Sequence, residues 1–293
     1  MNMREFISRE PVEKGWSGDR KYCVTAADGS RYLLRVSSAD KAEKIRGCFR
    51  MQQEVSALGI PMCQPVEAGE CEDGIYTLQS WIEGRDAKDV IPSLPEAEQY
   101  RYGLDAGRIL AKIHTIHAPE DLPDWEERFS AKIDRNIRMY EDCPVKFGGD
   151  ASVLEYIADN RHLLSGRPQC FQHGDYHIGN MMIGNDGTLV IIDFDRFDFG
   201  DPWEEFNRIV WCAQASGPFA SGMVDGYFAG AAPEEFWKLL KLYICSNTLS
   251  SFPWAVPFGE KEVDTMQKQA ADIMNWYDRM ERTVPSWYSG SLK

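Results

Sequence analysis

Residues 171–201 read FQHGDYHIGNMMIGNDGTLVIIDFDRFDFGD, and this stretch decides the fold. Its central residues, Asn185-Asp186-Gly187, are a hairpin turn signal, and the apolar residues after the turn predict a short buried strand. Asp193 follows that strand directly, at the point where the chain leaves the buried sheet. Because a hairpin brings its two ends together, we expect Asp193 to lie close to the polar loop that contains Asp175 and Asn180.

The polar residues of this stretch have the spacing of a kinase catalytic loop. His173, Asp175 and Asn180 fit H-x-D-x-x-x-x-N, and Asp193 stands where the metal-binding Asp-Phe pair follows. Magnesium prefers hard oxygen donors, which an amide and a carboxylate supply. The pattern therefore predicts Asn180 and Asp193 as ligands of Mg²⁺ and Asp175 as the base that accepts the proton of an attacking hydroxyl.

The stretch resembles the aminoglycoside phosphotransferase family, a kinase-like group that also includes choline and fructosamine kinases and macrolide phosphotransferases. H-G-D at 173–175, where protein kinases carry H-R-D, is that family's form. The resemblance covers nearly the whole chain and is weakest after Pro218. It implies an α+β, protein-kinase-like two-lobe fold: an N-lobe (1–83) of antiparallel sheet plus helix that binds nucleotide, and a mainly helical C-lobe (84–293) with the catalytic loop and the acceptor-substrate pocket.

The first part of the chain shows strand patterns interrupted by one helix pattern. Asp-Gly within Ala27–Ser30 predicts a hairpin turn, and Gly15–Asp19 predicts a turn between the first two strands and, by its position, a candidate phosphate-covering loop. Asp40 is the expected N-cap of the helix, which Gly59 and Pro61 would end. The predicted elements are a strand from Phe6, strands over Arg20–Thr25, Arg31–Val36, Gln64–Gly69 and Ile75–Ile82, and a helix over Asp40–Leu58.

After Glu83–Asp86, where the lobe boundary is expected, the periodicity is mainly helical. The predicted helices span Glu96–His117, Trp125–Tyr140, Ser152–Leu164, Trp203–Ala215, Glu234–Ser250 and Lys261–Arg282. The hairpin stretch is the exception within this part of the chain.

The family resemblance also implies a nucleotide site. Arg35 corresponds to the strand residue that pairs with the α- and β-phosphates, although relatives usually have Lys there, and Glu54 corresponds to its ion-pair partner. Ser80 to Ile82 correspond to the hinge, whose backbone groups would bind the base of ATP or GTP. Glu205 falls where relatives have an acidic residue that braces the catalytic loop.

Several polar residues of the motif region have more than one interpretation. Asp195 stands where many kinases have Gly, so it is a further metal ligand, a contact to the acceptor or a solvated turn residue. Arg35 is either a phosphate ligand or an exposed strand residue. His173 and His177 suggest zinc only weakly, because the loop has no further His or Cys ligands.

Composition limits the classes of partner. The 293 residues include 32 basic and 46 acidic ones, a net charge of −14, which argues against nucleic acid and favours neutral or cationic partners. Eight cysteines without a C-x-x-C pair indicate reduced, mostly buried thiols. No window has the apolar length of a membrane span, and the start lacks a signal-peptide pattern. We therefore expect a cytoplasmic monomer without membrane or nucleic-acid partners.

The sequence thus predicts a small-molecule O-phosphotransferase that moves the γ-phosphate of ATP or GTP to a substrate hydroxyl. An aminoglycoside or other antibiotic is one candidate acceptor, with antibiotic resistance as the corresponding role. Acidic residues near the expected acceptor pocket would hold an amine-bearing substrate; examples are Asp198, Glu234, Glu235 and Glu260. A metabolic kinase of an amino alcohol, sugar or sugar-amine shares the same motifs. A nucleotide-binding pseudokinase is the alternative of another class, and Arg35 is the feature that favours it.

Overall fold

The computed structural model describes residues 4–13 and 18–290, which form two compact units. The first contains the described residues up to Ala87 together with Asn180–Phe197, and the second contains Lys88–Gly179 and the residues from Asp198 onward. The sequence-based division at residue 83 differs in that it places 180–197 with the C-lobe. The assignment of nucleotide and acceptor binding to separate lobes stays a prediction.

The described residues contain strands mainly in the first unit and helices mainly in the second. The strands are β1 (Ser8–Pro11), β2 (Arg20–Thr25), β3 (Arg31–Ser37), β4 (Pro65–Cys71), β5 (Gly74–Ser80), β6 (Gly84–Asp86), β7 (Cys170–Gln172), β8 (Met181–Gly184), β9 (Leu189–Ile191) and β10 (Asp198–Gly200). The helices are α1 (Ala42–Ala57), α2 (Ala87–Val90), α3 (Glu96–Ile113), α4 (Trp125–Asp142), α5 (Asp150–Asn160), α6 (Ile209–Ala215), α7 (Gly217–Phe228), α8 (Glu234–Ala255) and α9 (Glu260–Trp276). Short 3₁₀ turns lie at Ala39–Lys41, Ile91–Ser93, Arg161–Leu164, Ile178–Asn180, Glu204–Arg208 and Val256–Phe258.

A five-stranded antiparallel sheet forms the base of the first unit, with strand order β1-β2-β3-β5-β4. Successive side chains of a strand point to opposite faces, and β3 follows this rule. Leu34 and Val36 are buried in an apolar cluster with Val24, whereas Arg35 lies between them in sequence and therefore on the other face. The predicted order of strands and helix in this part of the chain agrees with the structure.

A second sheet explains why 180–197 belongs to the first unit. Strands β6, β8 and β9 pair antiparallel, so the hairpin is joined to the segment after β5. The amide of Ile191 donates to Pro61 O at 3.0 Å, and the amide of Cys63 donates to Ile191 O at 3.1 Å. These bonds attach the hairpin to the chain that follows α1. The sequence analysis missed β6, because Glu83–Asp86 contains no apolar alternation.

The start of α1 differs from the predicted one. Asp40 lies inside the 3₁₀ turn, and the residue at the N-cap of α1 is Lys41, which makes no side-chain cap hydrogen bond. The prediction of Asp40 as N-cap is therefore wrong, because the chain winds one tighter turn before the α-helix begins. Gly59 has a φ of 66°, as a glycine that ends a helix commonly does. The predicted turn at Gly15–Asp19 falls partly outside the described residues, which resume at Gly18.

Helices α3 and α7 cross with their backbones in contact. A Cβ added to Gly222 would lie 2.2 Å from Tyr100 O, and one added to Gly103 would lie 2.2 Å from Phe219 O. Both helices carry a second such glycine four residues further on, Gly107 and Gly226. The sequence analysis missed α7 because glycine and proline are poor helix formers, and tertiary packing overrides that preference here.

The glycine contact gives a stability prediction. Gly222→Ala forces the two backbones apart, and we expect it to lower the free energy of unfolding by about 1–3 kcal/mol or more. Gly47→Ala on α1 is the matched control, because its Cβ would meet only Arg50 Nη2 at 4.0 Å. That change should stabilise by up to ~1 kcal/mol through helix propensity. Urea unfolding measures both; equal stability of Gly222→Ala and the wild type would contradict the close contact.

Helix α8 lies in the core of the second unit. Phe236, Leu240, Tyr243 and Phe252 are nearly inaccessible to solvent, so the helix is covered along most of its length. No helix in the part of the chain that the structure describes is long and apolar enough to cross a membrane. The eight cysteines are all free thiols, and all but Cys71 are buried.

Candidate active site

Asn180 and Asp193 come together through the backbone of the hairpin. The amide of Ile192 donates to Asn180 O at 3.0 Å, which holds residue 180 beside the end of β9. Asp193 follows with a left-handed φ of 68°, a conformation that Asp and Asn tolerate better than most other residues with a Cβ. Its carboxylate is 46% exposed. The predicted proximity of the two residues is therefore present within the first unit.

The donor set fits the predicted magnesium site. Mg²⁺ is usually bound through one or two carboxylates with substrate phosphates, and a half-exposed Asp193 beside Asn180 offers oxygen donors of that kind. Among residues 4–13 and 18–290, no group of three or more His, Cys, Asp or Glu side chains could hold a metal ion. The roles of Asn180 and Asp193 as magnesium ligands stay predictions.

Arg35 lies among carboxylates. Its Nε is 2.7 Å from Asp19 Oδ2, its Nη1 also forms an ion pair with Asp195, and the same nitrogen is 3.9 Å from Asp193 Oδ1. Lys41 Nζ binds the other oxygen of Asp19 at 3.0 Å. Burial alone would raise the pKa of Asp19, but Lys41 and Arg35 outweigh it and hold that pKa below its ordinary value. Asp195 is thus an ion-pair partner rather than a solvated turn residue.

The expected pairing of Arg35 with Glu54 is not what the structure shows. Glu54 is exposed on α1, and the ion pairs of Arg35 given by the described residues are with aspartates. The buried polar side chain in this part of α1 is Gln52, and it accepts a hydrogen bond from Gln79 Nε2 at 2.8 Å. The prediction of Glu54 as partner is corrected, because the helix phase that buries Val55 and Gln52 leaves Glu54 outside.

Ser80 and Ile82 lie at the end of the sheet, as the hinge prediction requires. The amide of Ser80 donates to Gln64 O at 2.9 Å, and its hydroxyl accepts from the amide of Gln64 at 2.8 Å. Ile82 is half-buried and outside the strands. The binding of a nucleotide base by this segment stays a prediction.

Asp175 lies in the second unit between two basic side chains. Its Oδ1 is 3.4 Å from Arg208 Nε and 3.5 Å from His177 Nε2. Its amide donates to His173 Nδ1 at 3.3 Å, and the carboxylate is only 16% exposed. The sequence analysis missed Arg208, because a contact between residues 33 positions apart leaves no local signal.

Glu205 holds the loop that carries Asp175. Its carboxylate accepts hydrogen bonds from the amide of Gly174 at 3.1 and 3.2 Å and from the amide of Tyr176 at 3.4 Å. The side chain is 1% exposed, and His114 Nε2 lies 4.0 Å away. Burial would raise the pKa of Glu205, but His114, His173 and the Gly174 amide outweigh it and hold the pKa below 4.5. Glu205 braces the loop that carries Asp175, as its position in the sequence suggests.

A buried ion pair anchors the segment before Glu205. Asp201 is inaccessible to solvent and accepts hydrogen bonds from Arg167 Nε at 2.7 Å and Arg167 Nη2 at 3.0 Å. The hydroxyl of Tyr243 donates to the same carboxylate at 2.6 Å, and the amide of Trp203 donates at 2.9 Å. The carboxylate is therefore well supplied with donors, as a buried charge must be.

The brace gives a pH-dependent prediction. Because the folded-state pKa of Glu205 lies below 4.5, its carboxylate stabilises the fold above pH 4.5, and this contribution is lost as the pH falls through the lower folded pKa. Glu205→Gln should therefore lower the free energy of unfolding by about 1–3 kcal/mol at neutral pH. The deficit relative to the wild type should shrink below pH 4.5. Urea unfolding across pH tests this, with the exposed Glu155→Gln as control; a deficit that grows in acid would contradict it.

The model of the phosphotransferase enzyme family matches residues 8–237, which is well over half of the chain. The chain belongs to this family. The search of curated protein sequences found no match to this chain.

Solved structures of aminoglycoside phosphotransferases have a similar fold to this phosphotransferase. A thermostable mutant of APH(4)-Ia in a ternary complex with ADP and hygromycin B has a TM-score of 0.66 at 17% identity, over 92% of this chain and 93% of that chain. ADP-bound APH(2'')-Ib has a TM-score of 0.64 at 15% identity, over 92% and 95%. An aminoglycoside phosphotransferase from Alicyclobacillus acidocaldarius subsp. acidocaldarius DSM 446 has a TM-score of 0.63 at 13% identity, over 95% and 90%.

These findings confirm two predictions for the phosphotransferase. Its fold is the α+β, kinase-like fold, with an antiparallel N-terminal sheet and a helical C-terminal region. Its enzyme class is that of a phosphotransferase, and family and fold together support a kinase that acts on hydroxyl groups.

The acidic residues proposed to hold an amine-bearing substrate mostly have basic neighbours in this phosphotransferase. Arg128 Nη2 lies 3.3 Å from Asp198, Lys238 Nζ lies 2.7 Å from Glu234, and Arg167 Nη1 lies 3.8 Å from Glu235; Glu260 is exposed at the start of α9. The three paired carboxylates are 56–78% exposed, and Arg167 also binds Asp201, so the pairs compensate their charge only weakly.

Proposed function

We propose that this phosphotransferase transfers the γ-phosphate of ATP or GTP to a hydroxyl group of a small molecule. The observation that carries the proposal is the hydrogen bond between Ile192 and Asn180, which brings the two predicted magnesium ligands together at the end of a buried hairpin. The loop with Asp175 supports the proposal. Glu205 holds this loop in place, so Asp175 can be positioned to accept the proton of an attacking hydroxyl.

Each residue of the site has a distinct task in this mechanism. Asp175 accepts the proton of the acceptor hydroxyl, and Arg208 and His177 hold its carboxylate in place. Mg²⁺, bound through Asn180 and Asp193, would neutralise charge on the phosphates of the donor. The guanidinium of Arg35, 3.9 Å from Asp193 Oδ1, adds positive charge near those phosphates. Catalysis of this kind consists mainly of positioning and electrostatic stabilisation.

The relatives support a nucleotide donor without choosing between bases. The structures of APH(4)-Ia and APH(2'')-Ib contain ADP, and that of another aminoglycoside phosphotransferase is a GDP complex. We propose that Ser80 and Ile82 bind the base through their backbone groups, which carry no preference for adenine or guanine. We propose that the nucleotide binds in the first unit, which contains these residues and Arg35.

For the acceptor, two classes remain. The bound hygromycin B of a relative and the net charge of −14 support an aminoglycoside or another cationic antibiotic, and with it a role in resistance. The basic neighbours of Asp175 favour a neutral or weakly charged acceptor, such as a sugar, as in a metabolic kinase. A nucleotide-binding pseudokinase is disfavoured, because Asp175, Asn180 and Asp193 are all present.

Phosphate transfer from labelled ATP and GTP to a panel of aminoglycosides, macrolides, amino alcohols and sugars tests the reaction. We expect transfer that requires magnesium and falls by about 10²–10⁴-fold in Asp175→Asn, because the proton acceptor is lost. Glu155→Asn, on the exposed side of α5, should keep full activity. Nucleotide binding without transfer to any acceptor would instead establish the pseudokinase.

The charge around Asp175 gives a separate prediction on specificity. Arg208→Gln removes a positive charge 3.4 Å from the base, so it should raise the ratio of kcat/KM for an amino alcohol over its uncharged carbon isostere several-fold. Because the ratio is taken within one variant, any common loss of activity cancels. Lys238→Gln, whose charge is paired with Glu234, is the control. An unchanged ratio in Arg208→Gln would show that this charge does not reach the acceptor.

A further inference from the structure

Lys21 and Arg35 lie side by side on neighbouring strands of the five-stranded sheet. The register of β2 and β3 places Lys21 opposite Arg35, and the register of β3 and β5 places Thr77 opposite Arg35 on the other side. Directly paired residues of an antiparallel sheet have their side chains on the same face, with Cβ atoms about 4.5–5.5 Å apart. Lys21 therefore shares the face on which Arg35 meets its aspartates, and not the face of the apolar cluster.

The guanidinium of Arg35 is already occupied by carboxylates. It is 12% exposed, and it forms ion pairs with Asp19 and Asp195 in addition to the longer approach to Asp193. Planar guanidinium groups bind carboxylates as a fork, and phosphate oxygens would have to displace such partners. Breaking a largely buried ion pair leaves uncompensated charge, which is costly.

Lys21 lies on the face of the sheet that is next to the predicted magnesium ligand Asp193. Burial and the neighbouring charge of Arg35 lower the pKa of Lys21, while Asp193 and Asp19 oppose that shift. Arg35, the register partner of Lys21, approaches Asp193 Oδ1 with its Nη1 at 3.9 Å, so the face that the two basic residues share leads to the predicted magnesium ligand. A lysine ammonium is a compact charge on a flexible stem, which suits phosphate oxygens.

We propose that Lys21 on β2 is the side chain that contacts the phosphates of the donor nucleotide, and that Arg35 is a positioning residue that holds Asp195 and the chain after Asp193. This inference rests on the proposed function. It also accounts for both departures from the kinase pattern together. An arginine replaces the usual lysine and an aspartate replaces the usual glycine, and the two form an ion pair with each other.

Equilibrium binding of ADP, GDP and the nucleosides adenosine and guanosine, measured without magnesium, tests the proposal. Lys21→Met should raise the Kd for the preferred diphosphate about tenfold or more, as expected for loss of a charge-assisted hydrogen bond, and leave the Kd of the nucleoside unchanged. Arg20→Met is the matched control: it removes one charge from the same strand on the opposite face, where Arg20 pairs with Asp73. Its diphosphate affinity should equal that of the wild type.

Arg35→Lys complements this experiment. It keeps the charge but loses the fork that binds Asp19 and Asp195, so it should lower the thermal midpoint and kcat while the diphosphate Kd changes less than in Lys21→Met. Diphosphate affinity that falls in Arg35→Lys and stays unchanged in a folded Lys21→Met would return the phosphate contact to Arg35 and overturn the inference. A wild-type protein that binds neither diphosphate would overturn the proposed function itself, a result distinct from the first.

Discussion

The contact between the carboxylate of Glu205 and the backbone of the loop that carries Asp175 is the constraint on which the position of Asp175 depends. A carboxylate that is 1% exposed has no water to solvate it, so the amides of Gly174 and Tyr176 must face it. The loop is thereby fixed on both sides of its central residue. Asp175, between these two amides in sequence, gains a defined position without taking part in the bracing.

Charge in this protein is organised locally rather than as a uniform acidic field. The net charge is −14, yet aspartates gather around Arg35 in the first unit, and Arg208 and His177 flank the carboxylate of Asp175 in the second. Local pairs at short range outweigh the average field, because screening by salt removes interactions between exposed charges beyond about 8–10 Å. A substrate would therefore respond to these neighbours more than to the overall charge.

The sequence was informative where the decisive geometry is local. The hairpin at Asn185-Asp186-Gly187 spans few residues, and its turn residues alone specify that Asn180 and Asp193 approach each other. The neighbour of Arg35 was not predictable in the same way, because it depends on the rotation of α1 about its axis and on strand register. In the structure Glu54 is exposed on α1, and the guanidinium of Arg35 meets Asp19 and Asp195. Helix α7 was hidden for a related reason: its glycines are favourable only because α3 lies against them.

Two independent requirements restrict which residue can stand at position 193. The proposed magnesium site requires a carboxylate, and the φ of 68° requires a residue that accepts this conformation at little cost. Aspartate meets both demands, asparagine and glycine meet the second, and β-branched residues meet neither. In a homologue without metal binding only the second requirement would remain. Asparagine or glycine at position 193 would then preserve the turn.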